Sequence, residues 1–296
     1  MEKISIKAFI TVSLILLLSV SAIAKNRHAL VIGVGEYPVS SGWSPIHGDN
    51  DVQLVKNALL RQGFLSSEII TLSNSQATKG SIISAIKEIE SSVKSGDVVY
   101  IHFSGHGQQI TDLNGDEKDG FDEAWIPYDA KIDYVKGIYE GENHIIDDEV
   151  YELLRNIRQK IGSNGRIIVI SDACHSGSAT RGRKDEFQDG EEYVRGVKDK
   201  FVIPDVSVKY DPSNEKSIEW LSVEACKSYE SNHEYKSSQG FVGMLSYIIS
   251  IEPIPYDSLS WNEAVSTWQS KLDELRSYPQ HLVYEGAPSD LSNKLF

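Results

Sequence analysis

Two apolar stretches, each ending in a chemically reactive residue, are the feature that most constrains the fold of this chain. Residues 98–103 lead into the letters S-G-H-G, which contain His106, and residues 167–170 lead into D-A-C-H-S-G, which contain Cys174. Near-continuous apolar runs are typical of strands buried in a parallel sheet, where ligands collect beyond the carboxyl ends of the strands. If the two strands are neighbours, Cys174 and His106 emerge at one edge, where a thiol nucleophile and a general base can cooperate.

The remaining hydrophobic pattern alternates between short apolar runs and segments with helical spacing. It predicts further strands at 28–34, 69–72, 124–127, 218–223 and 281–284. It predicts helices at 81–93, 240–250 and 261–275, a helix that begins within 48–51 and includes 52–60, and a helix with an acidic start at 147–149 that includes 150–157. This alternation favours an α/β fold with one mostly parallel central sheet of about six strands and helices on both faces. Neither an internal repeat nor a change of composition marks a second folded domain.

The first 24 residues have the composition of a secretory signal peptide rather than of a folded element. Lys3 and Lys7 precede an apolar run at 8–20, and an A-x-A pattern directly precedes Lys25. This arrangement predicts cleavage before Lys25, a mature domain of residues 25–296, and an exported protein that is periplasmic or secreted. The apolar run is short for a membrane span, so we expect no stable membrane insertion.

Charge and cysteine content narrow the possible partners. The formal net charge is −14 and no run of basic residues offers phosphate neutralisation, so nucleic acid is not an expected partner. An exported protein could form a disulfide between its two cysteines, Cys174 and Cys226. The place of Cys174 at a strand end, within reach of a histidine in the expected fold, argues instead for a free thiol.

The S-G-H-G and D-A-C-H-S-G motifs resemble those of caspase-like peptidases and, most closely, those of the metacaspases. The resemblance runs from about residue 28 to residue 178, and more loosely to Phe296. It implies a caspase-like three-layer sandwich with a large-subunit-like part at about 25–180. A linker loop at about 178–215 and a small-subunit-like part at about 216–296 would follow.

The same resemblance implies a cysteine endopeptidase that acts on proteins or peptides. Cys174 would be the nucleophile and His106 the general base and acid, with an oxyanion hole formed by the backbone N–H groups of Gly107 and Cys174. The intermediate would be a thioester acyl-enzyme, and the chemistry itself would require no cofactor.

The family's pocket for an arginine or lysine before the scissile bond maps onto Asp51, Ser104 and Asp172. Two carboxylates in a partly dry pocket favour a cation and reject an acidic side chain. Gly48 stands where the family often has a cysteine, so the pocket could be roomier there. A helix cap at Asp51 and a strand-end turn at Asp172 are the purely structural alternatives.

Calcium (Ca2+) stimulation is a further property that the resemblance implies, through Asp122, Asp147 and Asp148. Arg181 stands where the family has a fourth carboxylate. The loss of one carboxylate weakens a site for an ion that takes about six to eight oxygens, without excluding it.

The polar segment 112–123 allows two other interpretations. Its spacing matches an EF-hand loop, although Glu117 replaces the usual glycine. The EF-hand positions would be Asp112, Asn114, Asp116 and Glu123. An exposed loop followed by an acidic helix start is the alternative without a metal.

Basic residues cluster in the loop after Cys174, at Arg181, Arg183, Lys184, Arg195, Lys198 and Lys200. A peptidase that cuts after basic residues could cut itself in this loop, whereas a solvated loop is the alternative. Two other functions stay open: a clostripain-like peptidase of basic specificity, and a catalytically silent caspase-fold scaffold or binding protein. The adjacent Asp147 and Asp148 and the D-A-C-H-S-G motif favour the metacaspases over the clostripain-like peptidases.

Overall fold

The computed structural model describes residues 25–175, 193–251 and 259–286. The predicted signal peptide at 1–24 lies outside these residues, as do Arg181, Arg183 and Lys184 of the basic loop. Within the three described ranges, no helix combines the length and the apolar character needed to span a membrane.

The described part of the chain contains eleven strands, five α-helices and three short 3-10 helices. In chain order, the strands are β1 (Arg27–Gly33), β2 (Ile69–Ser73), β3 (Val98–Ser104), β4 (Gly107–Thr111), β5 (Phe121–Trp125), β6 (Ile145–Ile146), β7 (Arg166–Asp172), β8 (Leu221–Glu224), β9 (Glu234–Ser237), β10 (Gly240–Gly243) and β11 (Val283–Glu285). The helices are α1 (Gly48–Arg61), α2 (Lys79–Ser92), α3 (Asp147–Ile161), α4 (Met244–Ile251) and α5 (Trp261–Leu275).

Six of the strands form a central sheet in the order β11-β8-β7-β3-β1-β2. Neighbouring strands are parallel, except that the edge strand β11 runs antiparallel to β8. β3 and β7 are almost entirely buried, which explains why their sequences are continuously apolar rather than alternating. The predicted α/β fold with a mostly parallel sheet of about six strands is confirmed.

Two apolar cores lie on opposite faces of the central sheet. On one face, Val55 of α1, Ile248 of α4 and Trp268 of α5 belong to a single buried cluster. On the other face, Ile86 of α2 and Leu154 of α3 belong to a second cluster. Successive residues of β1 enter the two clusters alternately, because side chains alternate across a strand. The predicted helical layers on both faces are therefore present, and the C-terminal helices share a buried cluster with α1.

Predicted elements in the C-terminal part of the chain differ from the structure in type or extent. The predicted helix at 240–250 is wrong over its first four residues, because Gly240–Gly243 pair with β9 and α4 begins at Met244. Gly240 adopts φ = +111° at the turn between β9 and β10, a conformation that favours glycine. The strand predicted at 218–223 is displaced to β8, and the last strand begins at Val283.

The alignment of β3 with β7 positions the candidate site. The two strands are parallel neighbours, with Ser104 directly opposite Asp172. The Gly105 N–H donates to the Asp172 carbonyl at 3.4 Å, so the two segments stay side by side beyond the strands. β4 begins immediately after His106 and forms an antiparallel hairpin with β5, which begins earlier than the predicted strand at 124–127. The two strand ends therefore meet at one edge, as the apolar runs predict.

Replacement of Leu272 by alanine tests whether α5 unfolds together with the N-terminal strands. Leu272 is fully buried, and such a truncation costs about 2–5 kcal/mol in the free energy of unfolding. We expect one urea-unfolding transition, shifted to lower urea, by both circular dichroism and tryptophan fluorescence in a Cys174→Ala background. Ser270→Ala on the exposed face of α5 is the control and should change the free energy by less than about 0.5 kcal/mol. Two separate transitions would contradict a single cooperative domain.

Candidate active site

Cys174 follows the end of β7, and its side chain is buried. Its thiol donates a hydrogen bond to the Glu230 carbonyl at 3.1 Å, and its backbone N–H donates to the Arg195 carbonyl at 2.7 Å. Gly107 packs tightly against it, since a Cβ on Gly107 would stand 2.7 Å from the Cys174 carbonyl oxygen. A side chain at this position would force the two segments apart, which explains the glycine after His106.

His106 follows the end of β3 and lies among aromatic rings. Its ring stacks on Trp43 with centroids 4.9 Å apart and lies 5.2 Å from the ring of Tyr37. Nε2 hydrogen-bonds the Ser44 carbonyl at 2.9 Å, whereas the buried Nδ1 has no hydrogen-bond partner among the described residues. Burial lowers the pKa of His106 to about 4, and the Ser44 carbonyl opposes this effect. The ring is therefore neutral near pH 7 and can accept a proton at Nδ1.

The two cysteines are free, as expected for Cys174, and they are neighbours. The Cys226 thiol faces the same Glu230 carbonyl at 3.7 Å. A hydrogen bond with Cys174, together with burial, raises the pKa of Cys226. Cys226 is therefore part of the immediate surroundings of Cys174, which its position in the sequence does not indicate.

Asp51, Ser104 and Asp172 come together around the side chain of Arg195, and all four residues are buried. Nη1 of Arg195 donates to Asp51 Oδ2 at 2.7 Å and to the Ser104 hydroxyl, and lies 3.7 Å from Asp172 Oδ1. Asp51 belongs to the first turn of α1, and the other two residues end β3 and β7. The structure thus gathers the three predicted pocket residues around one guanidinium. We refer to this site as the cation pocket.

Backbone donors hold both aspartates of the cation pocket in place. Asp51 accepts from the Gly243 N–H at 2.9 Å, and Asp172 accepts from the Ser246 N–H at 2.7 Å. A Cβ on Gly243 would collide with Asp172 Oδ2 and with Arg195 Nη1, so a side chain there would fill the space of the cation. Burial raises the pKa of Asp51 and the Arg195 guanidinium opposes this rise. Burial also disfavours charge on Arg195, but the surrounding carboxylates keep its pKa above the usual value.

Glu234, at the start of β9, is a third carboxylate of the cation pocket that the sequence analysis missed. Its Oε1 accepts from Arg195 Nε at 3.0 Å and from Nη2 at 2.9 Å. Its Oε2 lies 2.6 Å from His47 Nδ1, and this hydrogen bond raises the pKa of His47. Burial opposes ionisation of Glu234, but Arg195 and His47 hold its pKa below the usual range. The sequence offers no motif around Glu234, and the adjoining strand β10 was predicted as helix.

The backbone of residues 193–195 runs antiparallel to residues 232–234. The Arg195 N–H donates to the Asn232 carbonyl at 2.9 Å, and the Glu234 N–H donates to the Tyr193 carbonyl at 2.9 Å. The next residue, Gly196, lies so close to Cys174 that a Cβ would collide with the Cys174 carbonyl oxygen. The chain therefore crosses the site as an extended peptide, with the Arg195 side chain in the cation pocket. The alternative in which the basic residues after Cys174 form a solvated loop therefore does not apply to Arg195.

The predicted calcium ligands lie in neighbouring acidic groups near the β4–β5 hairpin and the start of α3. Two sets have carboxylate oxygens within 4.8 Å of one another, namely Asp112, Asp116 and Asp122, and Glu117, Glu123 and Asp147. Asp122 belongs to the first set and Asp147 to the second, whereas Asp148 forms an ion pair with Lys216. The three predicted residues therefore lie in adjoining acidic groups, with Asp147 close enough to Asp122 to affect its pKa. Glu123 belongs to the second set, whereas Asp112 and Asp116 belong to the first, so the carboxylates do not group as the EF-hand positions predict.

The first acidic set has donor chemistry that suits calcium. The Oδ1 atoms of Asp116 and Asp122 are buried and have no hydrogen-bond partner among the described residues. Burial, with Asp147 and Asp112 nearby, raises the pKa of Asp122 to about 8. Asp112 is held by hydrogen bonds from the Asn114 and Gly115 N–H groups, both at 2.7 Å. Clustered carboxylate oxygens of this kind are the ligands that calcium prefers.

A family model for the metacaspase peptidase C14 domain matches residues 27–181, just over half of the chain. The chain belongs to the metacaspase family. The matched segment includes β3 and β7 with His106 and Cys174, so the family is shown by the part of the chain that carries the two strand-end motifs. The predicted membership is confirmed.

Curated relatives of this metacaspase include fungal proteins. Metacaspase-1 of Eremothecium gossypii is 34% identical over 162 residues, which are 52% of this chain and 32% of that protein. Metacaspase-1A of Aspergillus oryzae is 33% identical over 167 residues, which are 54% of this chain and 36% of that protein. The match thus spans about a third of each relative's length.

A solved structure extends the comparison to the C-terminal part of the metacaspase. The protein GSU0716 from Geobacter sulfurreducens aligns with 91% of this chain and 97% of its own, with a TM-score of 0.58. Its sequence is 19% identical, so the similarity shows the fold alone.

Replacement of Arg195 by alanine tests how strongly the cation pocket depends on its guanidinium. The change leaves three buried carboxylates without their partner, and we expect the free energy of unfolding to fall by about 3–5 kcal/mol. Urea denaturation of the Cys174→Ala metacaspase, with and without Arg195→Ala, measures this difference. Lys198→Ala removes an exposed positive charge from the same segment and should cost less than about 0.5 kcal/mol. Equal losses in the free energy of unfolding for Arg195→Ala and Lys198→Ala would show that the cation pocket does not depend on the guanidinium.

Proposed function

We propose that this chain is a cysteine endopeptidase that cuts after arginine or lysine, and that it cuts its own Arg195–Gly196 bond. One observation carries the proposal: the Arg195 carbonyl accepts from the Cys174 N–H while its guanidinium occupies the cation pocket. The residue before a scissile bond needs both contacts, because one holds the reacting carbonyl and the other selects the side chain. Membership of the metacaspase family supports the same chemistry.

Hydrolysis would use Cys174 and His106 in two half-reactions. His106 Nδ1 takes the thiol proton as Sγ forms a bond to the Arg195 carbonyl carbon. The Cys174 N–H stabilises the negative charge on the carbonyl oxygen, and the Gly107 N–H is the second proposed donor. The C–N bond then breaks as His106 returns its proton to the Gly196 nitrogen. Water, deprotonated by His106, attacks the thioester and releases the Cys174 thiol.

Other substrates would use the same surface after residues 193–196 have left it. The Asn232 carbonyl and the Glu234 N–H now pair with this segment, and they could pair in the same way with an extended peptide. The carboxylates of the cation pocket would attract a basic side chain and repel an acidic one. Protein or peptide substrates with arginine or lysine before the cleaved bond therefore fit best.

Mass spectrometry of the purified chain tests the self-cleavage. We expect wild-type protein to yield a fragment ending at Arg195 and a fragment beginning at Gly196. Cys174→Ala should remain intact because it lacks the nucleophile. Arg195→Gln should lose this cut because a neutral side chain does not pair with the buried carboxylates.

Two controls make the outcome specific. Lys198→Gln, in the same segment but exposed, should be cut at the same bond as wild type. A fluorogenic peptide with arginine before the leaving group should also be hydrolysed by wild type and not by Cys174→Ala. Folded wild-type protein that cuts neither itself nor the peptide, with or without calcium, would favour the silent scaffold.

We also propose that calcium binds at Asp112, Asp116 and Asp122 and stimulates the peptidase. Calcium would supply positive charge to this set and take no part in bond cleavage. Lys216 now lies 2.8 Å from Asp116 Oδ2 and also contacts Asp148. A calcium ion would compete with this lysine, which directly follows the linker that contains Arg195. Calcium binding and release of the linker from the site could thereby be coupled.

Thermal unfolding of the Cys174→Ala protein tests calcium binding independently of activity. Binding to the folded state should stabilise it by about 2.7 kcal/mol at a free calcium concentration of about 100 times Kd, which raises Tm by several degrees. Asp122→Asn should abolish the increase, and Glu88→Gln on the exposed face of α2 should retain it. If calcium does not change the Tm of the Cys174→Ala protein with Asp112, Asp116 and Asp122 intact, the proposed calcium site is wrong.

We further propose that the protein is exported and is periplasmic or secreted. The support is the sequence of residues 1–24, which has the charged start, apolar run and A-x-A pattern of a signal peptide.

A further inference from the structure

We propose that Glu234 makes this peptidase select arginine over lysine before the scissile bond, an inference that rests on the proposed function. The sequence motifs do not separate the two basic side chains. The cation pocket distinguishes them, because its carboxylates contact the bound guanidinium on two different sides.

The Arg195 guanidinium uses different nitrogens toward different carboxylates. Asp51 and Asp172 both meet Nη1, together with the Ser104 hydroxyl. Glu234 meets the other two nitrogens, Nε at 3.0 Å and Nη2 at 2.9 Å. Because the guanidinium donors lie in one plane in a rigid fork, a single arginine can satisfy both directions at once.

The Glu234 carboxylate is held in the position that the fork requires. Its side chain has no solvent exposure, and its Oε1 also accepts from the His47 N–H at 2.8 Å. Its Oε2 lies 2.6 Å from His47 Nδ1. The His47 ring itself lies against the rings of Tyr193 and Phe241, at centroid distances of 4.6 and 5.3 Å. These contacts prevent Glu234 from turning toward a shorter or differently shaped cation.

A lysine in the same pocket would carry one charged nitrogen in place of three. An ammonium placed beside Asp51 and Ser104 does not also occupy the positions of Nε and Nη2. Oε1 of Glu234 would then lose two charged donors in a site that is closed to solvent. Hydrogen bonds between charged partners lost in this way correspond to roughly a 10- to 100-fold change in affinity or rate.

Paired fluorogenic peptides, identical except for arginine or lysine before the leaving group, test the inference on the full chain. We expect wild-type kcat/KM to favour arginine by roughly 10- to 100-fold. Glu234→Gln should lower kcat/KM for arginine by a similar factor and kcat/KM for lysine by a clearly smaller one, since the ammonium loses only the attraction of this carboxylate and not two hydrogen bonds to it. Glu88→Gln is the matched control at an exposed site and should leave both values unchanged.

The possible results separate the inference from the proposed function. An arginine-to-lysine ratio that Glu234→Gln leaves unchanged, with both peptides still cleaved, would overturn the role of Glu234 while the peptidase function stands. A folded wild-type protein that cleaves neither peptide would overturn the proposed function and the inference with it.

A measurement on unmodified protein covers the case in which Glu234→Gln does not fold. Agmatine and cadaverine share an ammonium at one end, whereas the other end is a guanidinium in agmatine and a second ammonium in cadaverine, and both can compete with the arginine peptide for the cation pocket. We expect the inhibition constant of agmatine to be at least about tenfold lower. Equal inhibition constants would overturn the inference.

Discussion

The guanidinium of Arg195 joins regions of the chain that are otherwise far apart in sequence. Its nitrogens contact Asp51 from α1, Ser104 from β3 and Glu234 from β9. Buried carboxylates and a buried guanidinium each lose their hydration, so each depends on the other for a stable folded state. The pocket is consequently well defined only with a cation inside it. A departing Arg195 must be followed by water or by another basic side chain.

The pairing of β3 with β7 determines where the cation pocket lies relative to Cys174 and His106. Ser104 and His106 are two residues apart at the end of one strand, and Asp172 and Cys174 are two residues apart at the end of the other. Ser104 and Asp172 of the cation pocket therefore lie on the strands, and His106 and Cys174 lie just beyond them. Because both strands are buried and hydrogen-bonded in register, the distance between the cation pocket and the thiol is set by rigid elements.

The linker connects this site to the acidic hairpin. After crossing Cys174, the chain pairs Phe201 with β4, where the Phe201 N–H donates to the Gln109 carbonyl at 2.7 Å. Farther along, Lys216 contacts Asp116 and Asp148. The segment from Arg195 to Lys216 thus places a guanidinium among one group of carboxylates and an ammonium beside another. Ion pairs at Arg195 and at Lys216 hold the two ends of this segment in place. A cation that replaced Lys216 beside Asp116 and Asp148 would weaken the attachment at that end.

The sequence by itself determined the α/β fold and placed His106 and Cys174 at two strand ends, because an apolar run and the residues that end it are local features. The resemblance to the metacaspases added Asp51, Ser104 and Asp172 as predicted pocket residues. The tertiary structure decided the rest of the site. Glu234 and Gly243 enter the cation pocket through a β-hairpin whose sequence partly resembled a helix. Arg195 belongs to a charged segment that is typical of a solvated loop, and its burial depends on carboxylates from distant parts of the chain. Such contacts depend on the pairing of remote segments, which no local pattern of residues specifies.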